Sequence, residues 1–452
     1  MQLSQLYKWS GNINRKDYML WGLILFGLKY NLDRLTAWAF GKSWYFSDYF
    51  IQADRLGLQE LESSDLIFYA AILAQSIPFI WMGTVLCVKR LRDANLSAGL
   101  VLFFFIPFIN LLLFILLSAI PSGNKVEATK RSFLARLIPK NKLGSAVFSL
   151  GATLVFSSLL MGIFIQFLEA YGWGLFIGIP FFLGFGSVII YGYHNQLAYR
   201  QALGVMVLAV LFFNLIIFIL AFEGIICLAM AFPLMFFIAW IGATIGYAVH
   251  KGNQMASLNT LAAPLLFIPL LGAIEKSDMQ KAPIMEVSTE IIIEASRQQV
   301  WDELVAFGQI DEPEEWLFKT GIAYPTHAAI EGTGVGAVRK CNFTTGAFIE
   351  PITTWDEPSL LAFSVLDQPP PMVEWSIYKD LEIEHLTGYF KSNRGQFQLL
   401  SLENGNTRLI GTTWYSHDIW PISYWRLWSD PILHRIHHRV LNHIKSKAEK
   451  HS

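Results

Sequence analysis

The stretch from Pro283 to Phe307, PIMEVSTEIIIEASRQQVWDELVAF, is where the chain changes solvent. Val287, Thr289, Ile291 and Ile293 alternate with Glu286, Ser288, Glu290, Ile292 and Glu294, a period of two that lets a strand bury one face and wet the other. At Ser296 the period lengthens. Ser296 suits an N-cap, and Val300, Trp301, Leu304, Val305 and Phe307 form the buried stripe of a helix. A strand running into a short helix opens an α+β domain, and what precedes it differs in kind.

Over the whole chain 54% of residues are hydrophobic and 15% charged, against roughly 25% charged in an average soluble protein. From Ser145 to Val249 the only charged side chains are Glu169, Arg200 and Glu223, whereas from Lys281 onward 15 Lys and Arg face 22 Asp and Glu. An apolar half precedes an acidic, water-dissolved half, and an acidic domain of this kind is not expected to take a nucleic-acid partner. The apolar stretch starting at Tyr18 has no small-residue cleavage site after it and is expected to stay as an anchor. Of the 3 cysteines, Cys87 and Cys227 lie in apolar spans and Cys341 stands apart, so no disulfide framework is expected.

A spanning helix needs about 20 mostly apolar residues. The candidates are Tyr18–Phe40, Asp65–Val88 and Ala98–Ile120 in a block over residues 1–125, then Ser145–Leu168, Trp173–Tyr193, Leu203–Phe222 and Gly224–Val249 in a block over 145–275. An eighth, Met255–Ile274, contains Pro264 and Pro269 and reads as a span or a half-inserted connector. The linker between the blocks, 126–144 and the few residues before it, carries Lys125, Lys130, Arg131, Arg136, Lys140 and Lys142 against Glu127, which places it in the cytoplasm. Three spans before it would put Lys8, Arg15, Lys16 and the loop of Lys89, Arg90 and Arg92 on the other side, so the charge rule fails for one basic region or the other. Within the first span Lys29 and Asp33 can pair at i, i+4, although a helix ending near Tyr30 would leave them in the interface. Gly174 with Gly178, and Gly242 with Gly246, have the spacing for close helix packing.

Beyond Phe307, strands are expected over His327–Glu331, Gly336–Thr344, Phe348–Trp355 and Leu360–Leu366. Two longer ones, Gly388–Leu402 and Thr407–Ser416, are joined by a turn with Asn404-Gly405 at its centre. A last amphipathic helix runs from Pro421 to Lys447 through Trp425, Trp428, Ile432, Ile436, Val440 and Ile444, with Pro431 expected to kink or split it.

Gly11, Ile13, Arg15, Lys16, Asp17 and Tyr18, then Lys89-Arg90-Leu91-Arg92-Asp93, Ile106-Pro107-Phe108-Ile109-Asn110 and Pro121-Ser122-Gly123-Asn124, resemble the signatures of the DUF805 membrane family. Asn12 and Arg92 depart from its usual Arg and His. The family brings no activity with it. Physically, Arg15, Lys16, Asp17, Lys89, Arg90, Arg92 and Asp93 are charged clusters at a membrane surface, suited to anchoring helix ends, pairing with one another or meeting lipid phosphates.

Over residues 284–450 the element order, with Val300-Trp301, Gly334-Val335-Gly336-Ala337-Val338-Arg339 and Gly411-Thr412-Thr413-Trp414-Tyr415, resembles the START and polyketide-cyclase superfamily, called SRPBCC. The fold class expected is thus a polytopic all-α membrane region followed by an α+β helix-grip domain, an antiparallel sheet around a long C-terminal helix. The resemblance implies a cavity for an apolar ligand such as a lipid, a quinone or a polyketide-like ring. Trp355, Tyr389, Phe390, Phe397, Trp414, Tyr415, Trp425 and Trp428 supply aromatic surface for it, and Arg339 a polar group, although each ring taken singly also suits an ordinary core.

For chemistry, the signals are sparse. Gly332, Gly334 and Gly336 lead into a strand and are not a dinucleotide loop. His434, His437, His438 and His443 lack the glutamate of an HExxH site and read as a basic helix end, so no metal and no cofactor is expected. Arg339, Glu350, His385 and His417 with Asp418 are the candidates for acid–base work, without a spacing that demands it. Three readings stay open: binding or presentation of a hydrophobic molecule in a bacterial inner membrane, a cyclase- or dehydratase-like enzyme, and a structural or signalling role. Membrane lipids and a hydrophobic small molecule are the partners implied, while oligomeric state is not set. The soluble domain is expected in the cytoplasm, with Met255–Ile274 not crossing.

Overall fold

A computed structural model describes residues 6–45, 49, 63–105, 109–122, 137–168, 172–251, 261–262, 264–266, 268–269, 282–377, 388 and 390–450. The chain divides into Met1–Ile217 with Ala231–Met279, and Phe218–Met230 with Gln280–Ser452.

The first unit is helical. α1 (Arg15–Ala39) starts at Asn14, whose side chain accepts from the Asp17 backbone N–H at 2.9 Å, one of the orphan donors of a helix start. α2 spans Ser63–Asp93, a 3₁₀ run Ala98–Phe105, and α3 Ile109–Ala119. α4 (Lys142–Gly162), capped by Asn141, continues into a π turn over Ile163–Leu168. A second π turn, Gly174–Gly178, leads into α5 (Ile179–Tyr191), followed by α6 (Tyr199–Ile219) and α7 (Ile225–Lys251). Among the described residues 5 helical segments are long and apolar enough to cross a membrane: Leu66–Asp93, Lys142–Ile165, Gly174–Tyr191, Tyr199–Ile219 and Ile225–Lys251. In α1, Asp33 is fully buried and accepts from Lys29, Tyr49 and Gln75, an internal cluster and not the solvated interface that the sequence also allowed. α5 and α7 pack backbone to backbone: a Cβ on Gly242 would lie 2.3 Å from the Phe181 carbonyl oxygen, which is the use the small-residue spacing suggested.

Ala98–Ile120, expected as a span, is not one continuous helix. Arg90, on the last turn of α2, donates from Nε to the Leu117 carbonyl at 2.8 Å and from its terminal nitrogen to that of Ile120. Ser122 Oγ donates to Asp93 at 2.6 Å. The segment therefore leaves the end of α2 at Asp93 and comes back to it, a re-entrant hairpin of a 3₁₀ arm and α3.

The second unit holds the sheet. Seven antiparallel strands lie in the order β1-β7-β6-β5-β4-β3-β2: β1 Met285–Ile293, β2 Pro325–Glu331, β3 Val338–Phe343, β4 Gly346–Asp356, β5 Leu360–Ser364, β6 Phe390–Ser401 and β7 Thr407–His417. α8 (Arg297–Val305) follows β1, with the Ser296 N–H donating to Gln299 Oε1 at 2.9 Å. β6 and β7 meet at the expected turn, where Gly405 takes φ +83°, a left-handed conformation glycine adopts without strain. α9 (Ile422–Ala448) lies along the concave face and packs on β1, β7, β2 and α8. It stays one helix through Pro431, which removes a hydrogen bond without dividing it. Trp301, Leu304, Leu361, Leu399, Leu409, Leu441 and Ile444 form the core between sheet and helices.

Candidate functional site

The interior enclosed by the sheet and α9 is apolar at one end, and a charged group lies within it. Arg339 on β3 is 2% exposed and ion-paired with Glu350, its direct cross-strand partner on β4. The register explains the meeting: residues opposite each other on one face of an antiparallel pair lie within side-chain reach. Three rings surround the guanidinium, with centroids 5.5 Å (Phe307), 5.4 Å (Phe363) and 5.6 Å (Phe397) away, an attraction between cation and ring faces. Burial pushes the Glu350 carboxyl up, against the pull of Arg339. Arg339 Nε has no hydrogen-bond partner in this enclosure. A desolvated ion pair needs its remaining donors satisfied to repay desolvation, so an unused donor marks a place for an acceptor.

Further along α9 the interior becomes polar. His437 sits between two strands, with Nδ1 3.0 Å from Thr289 Oγ1 and Nε2 2.8 Å from Thr413 Oγ1, while His434 Nδ1 lies 2.7 Å from Thr289 Oγ1. Burial, and the neighbouring His434 and His438, pull the His437 imidazole down to about 4. Near the start of α9, Tyr415 hydrogen-bonds Ser429 at 2.7 Å and also Asp430, to which Arg426 is paired at 3.0 Å. Phe390 stacks on Tyr415 with centroids 5.4 Å apart. His417 lies beside Tyr415, and burial takes it to about 4.

The structure sorts the sequence's candidates by face. Arg339, Phe397 and Tyr415 point to the concave side, and Trp355 packs edge-on against Trp301 at 5.7 Å. Trp414 does not face the interior: its ring lies 4.2 Å from the Arg394 guanidinium and its indole N–H donates to Glu286 at 3.0 Å on the convex side. Adjacent residues on a strand point to opposite faces, so Trp414 and Tyr415 cannot share a pocket. Trp425 and Trp428 also leave the list. They pack with Phe318, Ile322 and Met372 against Ile226 and Met230 of α7. Tyr389 and His385 lie outside the described residues. Sequence reasoning missed Asp430 and the interior place of His437, which it read as part of a basic helix end, and it did not bring Thr289 and Thr413 to that imidazole. The spacing Asp430, Leu433, His437, Val440 and Ile444 on one helix face was the signal that could have found the first two.

Two histidines of α9, His434 and His437, bond threonines of the sheet, and His443 lies against the Phe307 ring at 6.0 Å. Among the described residues no group of three or more His, Cys, Asp or Glu is arranged to hold a metal.

In the first block the charged residues divide. Arg90 is buried, tying the re-entrant hairpin to α2, and pairs with Asp93. Lys89 is buried too. Arg92 donates to the Trp9 carbonyl, and Arg15 and Lys16 are exposed at the start of α1. Beside them an apolar groove of about 360 Å³ is lined by Trp9, Ile77, Ile80, Trp81, Thr84, Val101 and Phe105.

Among solved structures the chain is similar to the ZhuI aromatase/cyclase from Streptomyces sp. R1128 (14% identity, 37% of this chain and 95% of that chain, TM-score 0.26). It is also similar to truncated norcoclaurine synthase from Thalictrum flavum (12%, 37% and 95%, TM-score 0.24) and to the Aha1 dimer from Colwellia psychrerythraea (18%, 36% and 93%, TM-score 0.21). No curated protein matches the chain in sequence. Residues 6–128, which hold the two charged signatures and the hairpin that follows the second, match the model of the family described as "Protein of unknown function (DUF805)".

Proposed function

We propose that this is a membrane-anchored binding protein, whose helix-grip domain holds a hydrophobic small molecule of the lipid, quinone or polyketide-like class between sheet and α9. The observation that carries the reading is the Arg339 site: a paired guanidinium inside three aromatic rings, with Nε left for an acceptor oxygen on an otherwise apolar ligand. Pockets of this class are mostly apolar with a few convergent polar groups. A proton-transfer enzyme would draw on Tyr415, Asp430 and His417, but the Tyr415 hydroxyl and Asp430 already bond each other, Ser429 and Arg426. Binding is therefore favoured. The test is native mass spectrometry and solvent extraction of the full-length protein beside the double variant R339M/E350L, which removes both charges together. An apolar ligand should co-purify with the wild type and fall at least about tenfold in the variant, a loss of 1.4 kcal/mol or more. No ligand on either, or equal amounts on both, refutes the reading.

We further propose that the domain lies on the extracytoplasmic side. Residues 7–16, 89–93 and 120–122 gather at one end of the first block, through the Arg92–Trp9, Arg90–Ile120 and Ser122–Asp93 bonds. In the second block Ser145 bonds the Tyr191 carbonyl at 3.1 Å and the Leu197 N–H donates to His250 at 3.3 Å, so the linker's far end, the α5–α6 turn and the end of α7 share a side. A hairpin that does not cross supports this reading, because it would remove the conflict seen in the sequence. Lys8, Arg15, Lys16, Lys89, Arg90, Arg92, the six basic residues of 121–144, Arg200 and Lys251 fall on one side, fourteen in all, as the positive-inside rule requires of a cytoplasmic face. The eighth segment supports a crossing: its described residues are helical, and Ile268 lies against Gly178, at the end of the bundle opposite Lys251. The sequence-based expectation of a cytoplasmic domain takes Met255–Ile274 not to cross, and the two placements differ on that segment.

A further inference from the structure

The loop after β5 carries its polarity inside out. From Val373 to Ile377 exposure alternates, with Val373 62%, Trp375 55% and Ile377 64% exposed while Glu374 and Ser376 turn inward. In water the pattern would be reversed, since an exposed apolar row has no hydrophobic gain and marks an interaction surface. The inward side of the loop is fixed. Glu374 accepts from the backbone N–H groups of Ile226 at 2.9 Å and Cys227 at 2.8 Å, and the Trp375 carbonyl accepts from that of Ile225 at 3.0 Å. These are orphan donors of the first turn of α7, where a carboxylate also complements the helix dipole. Gly224 leaves the room, for a Cβ there would lie 2.2 Å from the Glu374 carboxylate.

We propose that Val373, Trp375 and Ile377 form an interfacial anchor that seats the soluble domain in the lipid bilayer at the point where α7 enters it. α7 has 27 residues, about 40 Å of helix against a hydrocarbon core of about 30 Å. With polar His250 and Lys251 at its far end, its first turns reach the headgroup level, and the loop bonded to them is held at that depth. The chain beside them is apolar and exposed as well: Leu220 56% and Ile225 44%. Tryptophan is the residue that bilayer interfaces favour, amphipathic and rigid. The occupant is lipid and not a second protein, because the patch adjoins exposed Leu220 and Ile225 where the chain enters a helix long and apolar enough to cross a membrane. The inference is independent of what the interior binds.

The test uses full-length protein carrying 5-fluorotryptophan in lipid nanodiscs, with the Trp375 and Trp414 ¹⁹F signals assigned from the W375F and W414F variants. A nitroxide on the lipid headgroup should broaden the Trp375 signal several-fold more than that of Trp414, on the convex face of the sheet. Equal broadening of the two overturns the proposal. As a second measurement, a photoreactive residue at position 377 should give lipid adducts on illumination in membranes. Adducts to protein, including a second copy of this chain, would overturn it too.

Discussion

Burial favours the neutral form of His437. Both ring nitrogens are engaged by Thr289 and Thr413, and its imidazole is drawn down to about 4 from an ordinary 6.5. Between those values the unfolded chain binds a proton that the folded one refuses, so stability rises with pH through the window, is complete above 6.5 and is lost as pH falls towards 4. The loss should approach about 3 kcal/mol at most, read by denaturant unfolding of the full chain at pH 7 and pH 4.5. H437Q should flatten the dependence, and an unchanged slope would show that the imidazole titrates freely. His417, buried and likewise near 4, adds to the effect in the same direction. At Arg339 the account separates single from double replacement. R339M alone strands the Glu350 carboxylate and should cost about 3–5 kcal/mol, whereas R339M/E350L should come within about 1–2 kcal/mol of the wild type. Thermal unfolding distinguishes them, and equal losses would mean the pair is not coupled. Arg339 and Glu350 were legible as polar candidates in the sequence, but their pairing was not, since it depends on the β3–β4 register.

At the scale of the element, β7 shows what a sequence can and cannot give. The strand Thr407–Ser416 was legible from the Asn404-Gly405 turn before it, yet the choice of face needed the partner: His437 on Thr413 marks the concave side, and Glu286 on Trp414 the convex one. Y415F, which loses the bonds to Ser429 and Asp430, should therefore cost about 1–3 kcal/mol, and W414F under about 0.5 kcal/mol. Unfolding midpoints that rank the two the other way would contradict the assignment of faces. α9 was read almost to its ends, but Trp425 and Trp428 were assigned to a cavity when they face Ile226 and Met230, because an amphipathic stripe does not say which neighbour covers it. The largest difference lies in Ala98–Ile120, expected as one span and found as a 3₁₀ run followed by α3. Length and hydropathy describe a span and a re-entrant hairpin alike. Only Arg90, satisfying carbonyls at the end of α3, reveals the return. R90A should free that end and destabilise the block by about 2–3 kcal/mol, measurable as a lowered melting temperature in detergent. R90K should recover only part, lacking the planar fork.

For the whole molecule, the division into an apolar helical region and an acidic α+β domain could be read from charge distribution and period, whereas the helix-grip arrangement was implied by the family resemblance. The orientation could not, because one hairpin counted as a span inverts every loop before it. Under the proposed topology the basic residues are cytoplasmic and the helix-grip domain extracytoplasmic, where a ligand would come from the cell envelope. Reporter fusions in a bacterial inner membrane test this most directly, pairing alkaline phosphatase with a fluorescent protein at Asn124, Gly252 and Ser452. The account predicts fluorescence without phosphatase activity at Asn124 and Gly252, and phosphatase activity without fluorescence at Ser452. Fluorescence at all three positions would put the helix-grip domain in the cytoplasm and contradict it.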